Sequence, residues 1–191
     1  MTTAPLKCTY SLSEEFNVSQ KLILYAIAQI QGGVKTETHL QKLIFLILNA
    51  LDIDPERYGY YAYKYGPFSL MIREISDDMT RDGFLHSHER KDIVANEFVL
   101  KMMTELQPKR ELDRFRIKEV AEFVEGLTRD EILLHTYVRH KDYAKESEIL
   151  TNVLSKRVRV AADMYHKDKV TLSGGAELAG LPVSRFKAHW E

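Results

Sequence analysis

The chain has 191 residues, 45% hydrophobic and 29% charged, with 27 Lys and Arg against 28 Asp and Glu for a formal net charge of −1. That length supports one domain of about 100–150 residues with an extension, or two small ones. The charge balance excludes a uniformly polybasic coat protein and a disordered acidic tail. The single cysteine, Cys8, excludes an internal disulfide framework and a cysteine-only metal site.

Met1 to Ser13 lacks the apolar core of a signal peptide. The most apolar run, Leu43 to Leu48, is six residues long, where a membrane span needs roughly 20. A soluble, cytoplasmic protein with no membrane partner is expected.

A first helix is predicted over about 19–31, capped by Ser19, with Ile23, Ala26, Ile27 and Ile30 on one face and Gly32-Gly33 ending it. Thr36 caps a second helix to about Leu51, with Leu40, Leu43, Ile44, Ile47 and Leu48 inward. Phe45 and Leu46 lie off that stripe, and the apolar excess predicts central burial or a partner subunit, hence a homodimer. Tyr58, Tyr60, Tyr61, Tyr63 and Tyr65 crowd into eight positions, as in a short strand or ordered loop. Pro67 suits the first turn of a third helix to about Arg81, burying Phe68, Met71, Ile72, Ile75 and Met79 before Asp82-Gly83. Phe84–His88 and Ile93–Leu100 read as a hairpin around the polar tip Glu89–Asp92.

Helix, helix, helix, hairpin is the order of a winged-helix unit, here over 15–104 and with a long insertion between its second and third helices. Beyond Pro108 helices are predicted over about 110–126, from Thr128 to His140 with a Thr128–Glu131 capping box, and as one long segment over 146–166, a second candidate dimer surface. The region 110–166 thus packs on the winged-helix-like unit or forms a dimer interface. In the tail, 167–191, Thr171 caps a helix carrying Ala176 and Ala179, Gly180–Pro182 turns the chain, and a polar-basic helix follows, as in a helix-turn-helix. The fold class expected is mostly α with a small β hairpin.

In a winged helix the third helix enters the major groove. Arg73, Arg81, Arg90 and Lys91, with Arg185 and Lys187 of the tail, are the candidate phosphate contacts. Ser184 and His189 are placed to reach base edges. Glu74 and Asp77 on the same third helix oppose phosphate binding. Residues 151–191 carry seven basic against four acidic side chains, whereas 111–150 carry seven against ten. The seven histidines assemble no set of converging zinc ligands. No phosphate loop, G-x-S-x-G elbow or HExxH motif is present, so no catalytic residue, metal or cofactor is expected. The tyrosines suit stacking against bases, as in single-strand binders, or packing in a core or interface.

Leu40-Gln41-Lys42-Leu43-Ile44-Phe45-Leu46, Tyr63-Lys64-Tyr65-Gly66-Pro67-Phe68-Ser69 and Asp82-Gly83-Phe84-Leu85 resemble the prokaryotic YwgA-like family and, more distantly, the Panacea antitoxin domain. Leu133 to Val138 and Tyr143 to Ile149 fit the same YwgA-like pattern, so the resemblance spans about residues 20–150. Lys169 to Ser173, Ala176 to Leu181 and Ser184 to Phe186 resemble the helix-turn-helix of small antitoxin-like proteins, with Gly175 where those carry alanine. Both resemblances imply a regulator or antitoxin and carry no catalytic residues. Two readings follow: a DNA-binding transcriptional regulator acting on double-stranded DNA, or an antitoxin or adaptor that binds a partner protein such as a toxin.

Overall fold

The first helix begins where a reciprocal cap is available. In the computed structural model, which describes residues 16–97, 100–101 and 113–188, α1 (Val18–Ala28) is capped by Asn17 rather than Ser19. The Asn17 side chain accepts from Gln20 N–H and Gln20 Oε1 accepts from Asn17 N–H, both at 2.9 Å. Ser19 has no such partner, because the residue three positions on is Leu22.

The chain continues through β1 (Val34–Thr36), α2 (Glu37–Ala50), a 3-10 turn (Pro55–Tyr58), β2 (Tyr60–Tyr63), β3 (Gly66–Ser69), α3 (Leu70–Arg81), β4 (Leu85–His88) and β5 (Lys91–Ala95). β1, β5 and β4 form an antiparallel sheet in that order, with Val34 opposite Ile93 and Leu85 opposite Ala95. The fold is mostly α with this small sheet, in winged-helix order, and β2–β3 is a separate hairpin inserted between α2 and α3. The wing turns on Glu89 and Arg90 alone, at φ 49° and 58°, so the tip is tighter than its polar tetrapeptide suggested. β1 was not anticipated, since three residues are too few to display a strand period.

Two expectations for this half are corrected. Phe45 and Leu46 are not a subunit surface: they are 0% and 7% exposed within one chain. Phe45 packs edge-on against Tyr60, His140 and Tyr143 at 4.8–5.3 Å between centroids. Nor does the third helix begin at Pro67. Pro67 and Phe68 belong to β3, opposite Ala62 and Tyr61, and Ser69 caps α3 by accepting from Ile72 N–H at 3.1 Å. A hairpin outside the larger sheet tolerates proline, whereas a helix start favours a side-chain acceptor.

The second half consists of α4 (Arg114–Val124), α5 (Arg129–Arg139), α6 (Lys141–Ala144), α7 (Leu150–Ser155), α8 (Arg157–His166), α9 (Leu172–Ala179) and α10 (Val183–Lys187). The Thr128–Glu131 box opens α5 as expected, with Glu131 Oε2 2.6 Å from Thr128 N. The single helix expected over 146–166 is instead α7 and α8, broken at Lys156. Before it, Ser147 Oγ and Glu148 N–H both donate to the Lys64 carbonyl at 3.1 Å, so this segment follows the β2–β3 turn instead of coiling.

The tail folds back onto α8. Phe186 is fully buried, and Arg157 Nε donates to the Leu178 carbonyl at 2.8 Å, satisfying the C-terminal end of α9. One hydrophobic cluster runs from Phe16 to Phe186. Among the described residues no helix is long and apolar enough to cross a membrane.

Candidate functional site

The cations expected to face DNA are held by carboxylates of the same chain. Arg73 Nε lies 3.0 Å from Glu37 Oε1, its Nη2 donates to Oε2 at 3.3 Å, and its guanidinium sits 5.5 Å from the Phe68 ring centroid. Arg90 bonds Asp77 at 3.1 Å and approaches Glu37 at 3.9 Å. Arg81 pairs with Asp78 at 2.8 Å. A phosphate at this face would have to displace those carboxylates. Lys91 is exposed at the start of β5, and Ser184, Arg185 and Lys187 are exposed on α10, a helix of five residues. His189 lies outside the described residues.

A different surface is built with more care. Gln41, in the middle of α2, faces Ser69: its Oε1 accepts from Ser69 N–H at 2.9 Å and its Nε2 donates to the Ser69 carbonyl at 3.0 Å. Next to it, Lys42 Nζ donates to the Pro67 carbonyl at 2.8 Å. Tyr60 Oη donates to the Gln41 carbonyl at 2.8 Å. Gly66, at φ 81°, lies so close to Tyr137 that a Cβ there would come within 2.5 Å of Cε1. Tyr137 Oη and Ser147 Oγ are 2.7 Å apart, and Lys64 pairs with Glu148 at 3.2 Å. The sequence segments from α2, β2–β3, α5 and 147–148 thus converge to hold one hairpin.

What that hairpin presents outward is aromatic. Of the seven large hydrophobic residues exposed among the described residues, four lie here: Tyr61 (46%), Tyr63 (40%), Tyr65 (42%) and Leu70 (50%). Tyr63 packs on Phe68 with centroids 5.2 Å apart, and Arg129 lies 4.7 Å from the Tyr65 ring centroid. At the foot of the patch is a cavity of about 160 Å³, with Lys42, Gln41, Tyr63, Tyr65, Phe68 and Arg73 in its wall. Sequence alone marked the tyrosines as stacking, core or interface residues but did not mark the cavity or Lys42. The alternation Tyr61, Tyr63, Tyr65 carried the first signal, and a lysine inside the buried face of α2 the second.

Burial controls the titration of this region. Lys42 is brought down from 10.5 to about 7 by burial, with the like charge of Arg129 adding to the effect. Burial also lowers His39, against the raising influence of the Leu127 carbonyl 3.2 Å from its Nε2. No group of three or more His, Cys, Asp or Glu among the described residues is placed to hold a metal ion. No family model, curated protein or solved structure matches the chain.

Proposed function

We propose that this chain is a non-enzymatic binding protein of the antitoxin or adaptor kind, which docks a partner protein on the β2–β3 hairpin. The observation that carries this is the exposed set Tyr61, Tyr63 and Tyr65 on the hairpin, with Leu70 at the start of α3, the hairpin being fixed from behind by Gln41, Lys42 and Tyr60. Tyrosine supplies large contact area at low entropic cost and is enriched among the residues that dominate the energetics of protein interfaces. The resemblance to YwgA-like and Panacea sequences supports the same reading.

The test is capture of a purified candidate partner by the wild type and by the Tyr61→Ser/Leu70→Ser variant. Stoichiometric binding by the first and its loss in the second are expected. Equal binding by both overturns the assignment of the surface.

A second reading, a DNA-binding regulator of winged-helix type, is supported by the exposed Lys91, Arg185 and Lys187.

 Titration against duplex DNA at rising salt separates the two readings: phosphate contact gives an affinity that falls steeply with salt, and no retention on DNA leaves the protein partner as the function.

A further inference from the structure

Lys42 is an unusual way to hold a carbonyl. It is 2% exposed, and among the described residues the Pro67 carbonyl is the acceptor its ammonium has, although an ammonium carries three donors. Among the described residues no carboxylate pairs with it, and the charged residue that bears on it, Arg129, has the same sign. Glutamine would make the Pro67 bond without the cost of burying a charge, as Gln41 does beside it toward Ser69. Lys42 is also among the residues lining the 160 Å³ cavity, whose one carboxylate among the lining residues, Glu37, is engaged by Arg73 and Arg90.

We propose that this cavity binds a carboxylate carried on a small planar apolar body, with Lys42 facing the carboxylate, the Glu37-paired Arg73 beside it, and Tyr63, Tyr65 and Phe68 flanking the body. The charge of the wall favours an anion, because Lys42 lacks a counter-ion and Arg129 lies close by. The size suits one ring, since an apolar cavity of about 150 Å³ admits benzene. The ligand is either a free aromatic carboxylate or the terminal carboxylate of a peptide ending in an aromatic residue.

The groups facing Lys42 and the cavity are Glu37 on α2, Arg73 on α3, Arg129 on α5, and Tyr63 and Tyr65 at the β2–β3 turn. Lys42 has its titration brought to about 7. A bound carboxylate stabilises its protonated form, so binding near pH 7 takes up a fraction of a proton and binding near pH 5 takes up none.

Calorimetry of the full chain with benzoate, in buffers of different ionisation enthalpy, tests this. The expected result is saturable binding in the millimolar range or tighter, with proton uptake near neutrality and none at acid pH, and with no binding of benzamide. Lys42→Gln, which keeps a donor for Pro67, is expected to weaken benzoate about tenfold or more, and Tyr63→Ala to weaken it severalfold. If Lys42→Gln does not fold, the proton uptake of the wild type and the Tyr63→Ala variant decide. A short peptide ending in phenylalanine, with a free or an amidated terminus, distinguishes the two sources: tighter binding of the free acid than of benzoate assigns a chain terminus, and weaker binding assigns a small carboxylate. Absence of benzoate and free-acid binding, equal affinity for benzamide, or undiminished affinity in a folded Lys42→Gln protein overturns the proposal.

Discussion

Gln41 acts toward Ser69 as a neighbouring strand would, accepting from its N–H at 2.9 Å and donating to its carbonyl at 3.0 Å. Ser69 is fully buried and also caps α3, so this one amide fixes both the hairpin and the helix that follows it. Gln41→Leu strands two buried backbone groups, each costing about 1–3 kcal/mol. A loss of about 3 kcal/mol in urea unfolding is expected, with Gln41→Glu, which keeps an acceptor but no amide donor, intermediate. A loss below about 1 kcal/mol would show that water replaces the amide.

Gly175 and Phe186 explain why this tail departs from the alanine of similar helix-turn-helix sequences. A Cβ on Gly175 would lie 2.6 Å from Phe186 Cε1, so the glycine is what admits the ring. Gly175→Ala is expected to cost about 1–3 kcal/mol by overpacking and to expose the 180–187 segment to proteolysis. Added to Phe186→Ala, the same substitution should cost almost nothing further, because the ring it strikes is gone. Additive costs would place the strain elsewhere.

The parts of the fold written in local pattern were legible: the Thr36 and Thr128 caps, the α2 stripe, the wing and the turn at Gly180. What was not legible depends on partners distant in sequence. Phe45 read either as centrally buried or as covered by a partner subunit, and only Tyr60, His140 and Tyr143 packed around it decide for burial. The helix expected over 146–166 has an unbroken apolar pattern, but Ser147 and Glu148 answer to the carbonyl of Lys64. Arg73 and Arg90 were read as phosphate contacts, and their pairing with Glu37 and Asp77 depends on the tertiary fold, whereas Arg81 pairs with Asp78 inside α3. Lys42 stands just before the apolar run Leu43 to Leu48, and its burial follows only from the β2–β3 hairpin closing over α2.

Lys42 makes stability depend on alkaline pH. The unfolded chain binds its proton up to the ordinary 10.5 and the folded chain releases it near 7. Between those values the unfolded state holds more protons, so stability rises with pH and is lowest, and level, below about 7. The slope is at most about 1.4 kcal/mol per pH unit. Above pH 10 the buried tyrosines reverse it, since Tyr60 is held well above its ordinary value of 10.0 and ionises only on unfolding. Urea midpoints measured from about pH 7.5 to 9.5 are expected to climb for the wild type and to stay flat for Lys42→Met. Parallel curves for the two proteins would mean that the folded chain keeps Lys42 charged across this range.

His135 sets the opposite limit. Its ring packs on Phe123 with centroids 4.5 Å apart, and its Nδ1 is buried without a hydrogen-bond partner. Burial, with Arg139 and His140 adding like charge, lowers it from 6.5 to about 4. As pH falls between those values the unfolded chain takes up a proton that the folded chain refuses, so stability is full above 6.5 and declines toward 4. The complete loss from this residue is about 3 kcal/mol, at about 1.4 kcal/mol per unit. His39 and His140 are lowered by burial as well and add to the decline. Unfolding free energies at about pH 6.5 and 5.5, above the range in which the contribution of Glu131 and its Lys167 bond is lost, should therefore differ in the wild type. In His135→Phe, which keeps the ring contact and removes the titration, the difference should shrink by more than half. An unchanged difference would assign the acid sensitivity to His39 and His140.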